Sequence, residues 1–133
     1  MKKARNNPFE MTAEQFRRKY VDQEEHGLQA RFVEWFRLTY RSLKMIAIPN
    51  GGLRDPITAA KLKAEGVETG APDLLLIYAH GEYHGLWIEM KTINGAPSPE
   101  QLIFHAYLRS QNYAIEMPQT LEEAQQAVFD YLR

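Results

Sequence analysis

The elements readable along the chain follow the order α-β-α-β-β-α-β-α, which predicts an α/β fold: a mixed β-sheet flanked by helices on both sides. Three observations carry that expectation. Leu28, Phe32, Trp35, Phe36, Tyr40 and Leu43 recur at helical spacing, so a long amphipathic helix is expected over about 23–43. An apolar run, Leu74–Ile77, and an alternating run, Leu86–Lys91, flank the Gly-containing stretch 80–85, which predicts a hairpin. Two cap signatures, Ser98-Pro99-Glu100-Gln101 and Thr120-Leu121-Glu122-Glu123, open further helices with an extended segment at 113–117 between them.

Composition narrows the class. A chain of 133 residues, 44% apolar, can build one domain around one core. No apolar run approaches a membrane span, and no hydrophobic segment follows the basic N-terminus, so neither membrane nor secretory signal is expected. Cysteine is absent, which excludes disulfides and thiolate metal sites. An intracellular protein is the simplest expectation. The net charge of −1 hides a strong division. Residues 1–63 carry 13 Lys and Arg against 7 acids, whereas residues 64–133 carry 3 against 10. Such asymmetry can supply a basic face on a nearly neutral protein; the alternative is a fortuitous split among solvated side chains.

Taken in order, residues 1–21 read as a basic arm with a short helix opened by the capping-box pattern Thr12-Ala13-Glu14-Gln15, and 22–133 as the domain proper. The Arg17-Arg18-Lys19 run either touches phosphates or is simply exposed. In the long helix, Glu25 and Gln29 fall inside the apolar stripe. Glu25 is accounted for either by the helix dipole and solvent in the first turn or by contact with a metal ion. Lys44–Ile48 reads as a strand running into Pro49-Asn50-Gly51-Gly52, a tight loop. That loop is an ordinary turn, or one whose backbone approaches a phosphate with Arg54 beside it. Asp55-Pro56 supplies an N-cap and a first-turn proline for a helix that Gly66 ends. On it, Lys61 and Lys63 are either contacts to a nucleic-acid backbone or ordinary exposed lysines. The C-terminal helix presents Leu121, Ala124, Val128 and Leu132 as its core stripe.

The chemistry concentrates in the hairpin. Asp73 opens the first strand, and in the second Trp87, Glu89 and Lys91 share one face while Leu86, Ile88 and Met90 share the other. Adjacent strands therefore bring Asp73, Glu89 and Lys91 into one small volume. Two carboxylates and an amine there suit Mg²⁺ or Mn²⁺ with an activated water; the competing account is a purely structural ion cluster. His26, His80, His84 and His105 follow no zinc-ligand spacing, and structural or surface roles are expected for all four.

A wider set of motifs surrounds that hairpin. In order, they are Glu25-His26-Gly27-Leu28-Gln29, Ile48-Pro49-Asn50-Gly51-Gly52, Leu62-Lys63-Ala64-Glu65-Gly66-Val67, Gly70-Ala71-Pro72-Asp73, Gly85-Leu86-Trp87-Ile88-Glu89-Met90-Lys91 and Ser98-Pro99-Glu100-Gln101. In this spacing the chain, from about residue 22 onward, resembles the stand-alone VRR-NUC domains of phage-type replication and repair nucleases, within the PD-(D/E)XK superfamily. The resemblance implies a restriction-endonuclease-like sheet and a Mg²⁺- or Mn²⁺-dependent endonuclease acting on DNA. It implies Asp73, Glu89, Lys91 and Gln101 as catalytic residues, and Glu25, Asp73, Glu89 and the Met90 backbone carbonyl as metal ligands. Gln101 has a competing role as the reciprocal member of its capping box. Asn50, Gly51, Gly52, Arg54, Lys61 and Lys63 are the expected DNA contacts. Branched DNA such as a Holliday junction, in replication, repair or recombination, follows from the resemblance alone. Symmetric cutting of such a substrate requires two active centres and hence a homodimer. A monomeric nickase or flap nuclease, and a nucleic-acid-binding module that does not cut, are the alternatives.

Overall fold

The computed structural model describes residues 12, 15, 24–49 and 55–133, and of residues 24–26 the backbone alone. The basic run at 17–19 and the loop at 50–54 lie outside the described residues. Thr12 and Gln15 exchange reciprocal bonds, Thr12 N–H to Gln15 Oε1 and Gln15 N–H to Thr12 Oγ1, both at 3.1 Å, as a capping box requires.

Helix α1 (Glu24–Thr39) carries the aromatic stripe. It stops four residues before the periodicity does. Tyr40 closes the last turn through Phe36, and Tyr40 and Leu43 still pack on the core from the turn that follows. Apolar spacing persists there without a helix to carry it. Four strands follow: β1 (Lys44–Ala47), β2 (Leu74–Ile77), β3 (Leu86–Ile88) and β4 (Ala114–Glu116). They lie side by side in sequence order, antiparallel at β1–β2 and β2–β3 and parallel at β3–β4. A parallel neighbour cannot be reached by a tight turn, so α3 (Pro99–Ser110) crosses between β3 and β4. The result is the expected mixed α/β sheet flanked by helices.

Alternation along β2 and β3 divides the two faces. Leu74, Leu76, Leu86, Ile88 and Met90 pack against Phe32 and Phe36 of α1 and Ala124 and Val128 of the last helix, α4 (Leu121–Leu132). Truncating either phenylalanine to alanine would cost about 3–5 kcal/mol at full burial. The opposite face, with Leu75, Trp87, Glu89 and Lys91, looks toward α3, which buries His105 and Leu108. Three of the helix starts have a local cause. Ser98 and Gln101 form a complete capping box on α3. Asp55 caps α2 (Pro56–Ala64) by accepting Thr58 N–H at 2.9 Å and Thr58 O–H at 2.6 Å. At α4 the expected box is only half made. Thr120 accepts Glu123 N–H, but the Glu123 carboxylate reaches past the cap to the Gln119 N–H at 2.7 Å. Helix α2 buries none of its residues.

Candidate active site

The site grows from the end of the hairpin ladder. The terminal β2–β3 pair is Leu74 with Ile88, so one further step in register sets Asp73 opposite Glu89 on the α3 face. Asp73 is held from both sides. Its carbonyl accepts Ile48 N–H at 2.8 Å, and its Oδ2 accepts Met90 N–H at 2.8 Å. Ahead of it, Gly70, Ala71 and Pro72 are buried. Gly70 has φ +95°, and a Cβ there would lie 2.5 Å from the Glu100 carbonyl oxygen. Only glycine therefore lets this loop lie against the first turn of α3.

Beyond Ile88 the chain stays extended against the segment after β4, with Glu89 N–H bonded to Glu116 O and Lys91 N–H to Pro118 O. Sequence alternation is thereby kept three residues past the ladder. Met90 enters the core, while Glu89 and Lys91 point to α3. In an extended chain a residue's N–H and C=O face the same edge, so the Met90 carbonyl opens on the side of Asp73. Gln101 binds the two charged side chains together. Its Nε2 donates to Glu89 Oε1 at 2.8 Å, and its Oε1 accepts from Lys91 Nζ at 2.9 Å and from Ser98 N–H at 2.8 Å. Lys91 Nζ lies 3.4 Å from Glu89 Oε1. Gln101 thus closes its capping box and at the same time lies against Glu89 and Lys91. The cluster is not sealed: Asp73 is half-buried and the Lys91 side chain keeps 11% of its exposure.

The fold therefore brings Asp73, Glu89, Lys91 and Gln101 together, with the Met90 carbonyl at their edge. Glu25 is placed on α1, but its side chain lies outside the described residues, as do Asn50, Gly51, Gly52 and Arg54. Lys61 and Lys63 are exposed in the last turn of α2. Among the described residues no three His, Cys, Asp or Glu side chains gather as a metal cluster. The donors that do meet are two carboxylates and a backbone carbonyl. That all-oxygen set fits Mg²⁺ or Mn²⁺, which bind through one or two carboxylates and complete their shells with water and phosphate.

Two features are specified only by the structure. A cleft of about 750 Å³ opens directly after Lys91, lined by Leu28, Arg31, Thr92, Ile93 and Gln119 among others. His105, for which a structural or surface place was expected, is fully buried on α3. Burial, with the charges of Arg109 and Lys91 behind it, holds its pKa below the ordinary imidazole value. The available signal was its spacing, four residues from Gln101 and so on the same helix face.

Two acids facing each other just past the ends of adjoining antiparallel strands, a lysine two residues after the second, and a mixed sheet between helices define a nuclease-type domain. The chain belongs to the VRR-NUC domain family, whose model matches residues 11–133. Among solved structures it is similar to a "VRR_NUC domain protein" at 25% identity and a TM-score of 0.72, with 83% of this chain and 88% of that one covered. A second, titled "VRR_NUC domain", aligns at 21% identity and a TM-score of 0.49 over 77% of this chain and 95% of that one. No curated protein matches the chain. The family implies nuclease activity and DNA as a partner. Among the described residues no helix is long and apolar enough to cross a membrane.

Proposed function

We propose that the protein is a divalent-metal-dependent DNA endonuclease, acting as a homodimer on branched DNA such as a four-way junction. The observation that supports this most is the convergence of Asp73, Glu89 and Lys91 on one face, the last two tied by Gln101. Asp73, Glu89 and the Met90 carbonyl would hold Mg²⁺ or Mn²⁺, with Glu25 as a further candidate. When bound, the ion supplies charge relief at the phosphoryl oxygens and a more acidic water. The chain's own residues do the rest. Gln101 holds the Lys91 ammonium beside Glu89, where it stabilises negative charge developing on the phosphate and orients the attacking water. The Met90 N–H fixes the Asp73 carboxylate, so that its second oxygen keeps one direction. Asn50, Gly51, Gly52, Arg54, Lys61 and Lys63 are the proposed contacts to the DNA backbone.

Cleavage of labelled junction, flap and linear DNA with and without Mg²⁺ tests this reading. Asp73→Ala, Glu89→Ala and Lys91→Ala should each abolish Mg²⁺-dependent cutting while leaving salt-sensitive DNA binding in place. Undiminished cleavage in all three would overturn the assignment. Native mass separates the dimer from a monomeric nickase or flap nuclease, since a monomer at working concentration removes the paired-cut model.

A further inference from the structure

The layer between α3 and the sheet holds polar atoms that the proposed chemistry does not use. His105 is fully buried, and neither of its ring nitrogens has a hydrogen-bond partner. It lies one helical turn beyond Gln101 on the same face of α3, so it follows Gln101 along the strand surface that carries Glu89 and Lys91. Trp87 belongs to that strand surface too, and its Nε1–H is likewise buried without a partner. Buried polar atoms are almost always bonded, to protein or to internal water. The indole N–H and one imidazole nitrogen provide two of the two to four partners an internal water needs; the second ring nitrogen points away and cannot share that water. Burial first, and then the charges of Arg109 and Lys91, favours the neutral form of that ring.

We propose that His105 is a positioning residue for Lys91: a neutral, buried imidazole that holds the ammonium in register with Gln101 and Glu89 through an internal water. A lysine side chain has four rotatable bonds, and the contacts to Gln101 and Glu89 use two of the ammonium's three donors, which leaves it some of that freedom. A polar support behind the ammonium removes it. This inference rests on the nuclease reading of Asp73, Glu89 and Lys91. Substrate never meets His105, so its loss acts on turnover and leaves binding alone.

The experiment compares His105→Phe, which keeps the ring's bulk, with His105→Gln, which restores a donor and an acceptor. Steady-state junction cleavage in Mg²⁺, thermal melting and imidazole ¹⁵N NMR of the full chain are measured in parallel. His105→Phe should lower kcat roughly 10–100-fold with KM within about twofold, and His105→Gln should recover most of the loss. In wild type the ring should populate one neutral tautomer, and its nitrogen shifts should move in Lys91→Met. Wild-type turnover in folded His105→Phe overturns the proposal, and so does an equal loss in both variants that follows their melting temperatures. If His105→Phe does not fold, the NMR comparison decides. The NMR arm needs no cleavage. Ring signals indifferent to Lys91→Met refute the coupling, whereas absence of cutting by wild type refutes the nuclease reading instead.

Discussion

Replacing Gly70 by alanine tests how the loop carrying Asp73 is seated against α3. Two costs are expected. The residue has φ +95°, where an L side chain loses about 1–2 kcal/mol. The new Cβ would also lie 2.5 Å from the Glu100 carbonyl oxygen, 2.7 Å from its carbon and 3.0 Å from Gln101 N. All three are backbone atoms at the start of a capped helix, so relief requires moving the loop or the first turn, at about 1–3 kcal/mol. Gly66 provides the control: it has φ +109°, yet nothing lies within 4 Å of its added Cβ. Both variants carry the conformational penalty and both gain similarly from a stiffer unfolded chain, so their difference isolates the clash. For a domain of this size 1 kcal/mol moves Tm by about 3–5 °C, which puts Gly70→Ala roughly 3–15 °C below Gly66→Ala. Calorimetry of the three proteins reads that gap directly. Cleavage should also fall in Gly70→Ala alone, because the loop that shifts is the one that delivers Asp73 to Glu89. Melting temperatures within about 1 °C of each other would show that the close approach is not rigid, and the account of this loop would fail.

Three other outcomes follow from the same geometry. Ser98→Ala removes the α3 cap at a cost of about 0.5–2 kcal/mol but leaves the Gln101 links to Glu89 and Lys91, so turnover should stay near wild type. Gln101→Ala removes those links and should lower kcat about 10–100-fold; equal activity losses in the two variants would reduce Gln101 to a helix cap. The His105 pKa is depressed in the folded state, so the unfolded chain binds the extra proton first. Stability from this residue is present above its unfolded pKa, near 6.5, and falls as pH drops below it. Urea midpoints between pH 7 and 5 should decline in wild type and flatten in His105→Gln. If Lys61 and Lys63 track phosphates, replacing both by alanine should weaken DNA binding on all sequences alike. It should also lower the slope of log K against log salt by about 2; an unchanged slope would return both to ordinary surface lysines.

Much of the architecture was legible in the chain because it depends on neighbours in sequence. Period two over 86–91 put Met90 on the face of Leu86 and Ile88 and put Glu89 and Lys91 on the other, and the structure keeps that division even where the ladder has ended. A one-residue slip would have put both charges in the core, so the pattern tolerates one register only. Asp55, Ser98 and Thr120 start helices as expected, since a cap acts within three residues. Where the reading went astray, the deciding contact was distant in sequence. Tyr40 and Leu43 kept helical spacing but pack from a turn, because burial rewards an apolar side chain whatever its backbone does.

Tertiary packing alone decided the rest. Nothing local to residue 70 announces that Glu100 will lie against it, and the spacing of His105 from Gln101 gives its helix face but not its complete burial. Local order could specify the acids, the lysine and the glutamine, and even which way each side chain points from its own strand or helix. Joining Gln101 to Glu89 and Lys91 needed the α3 crossover to lie over β3, and that placement is chosen by apolar surface and shape summed over the whole layer, which no short stretch of chain encodes.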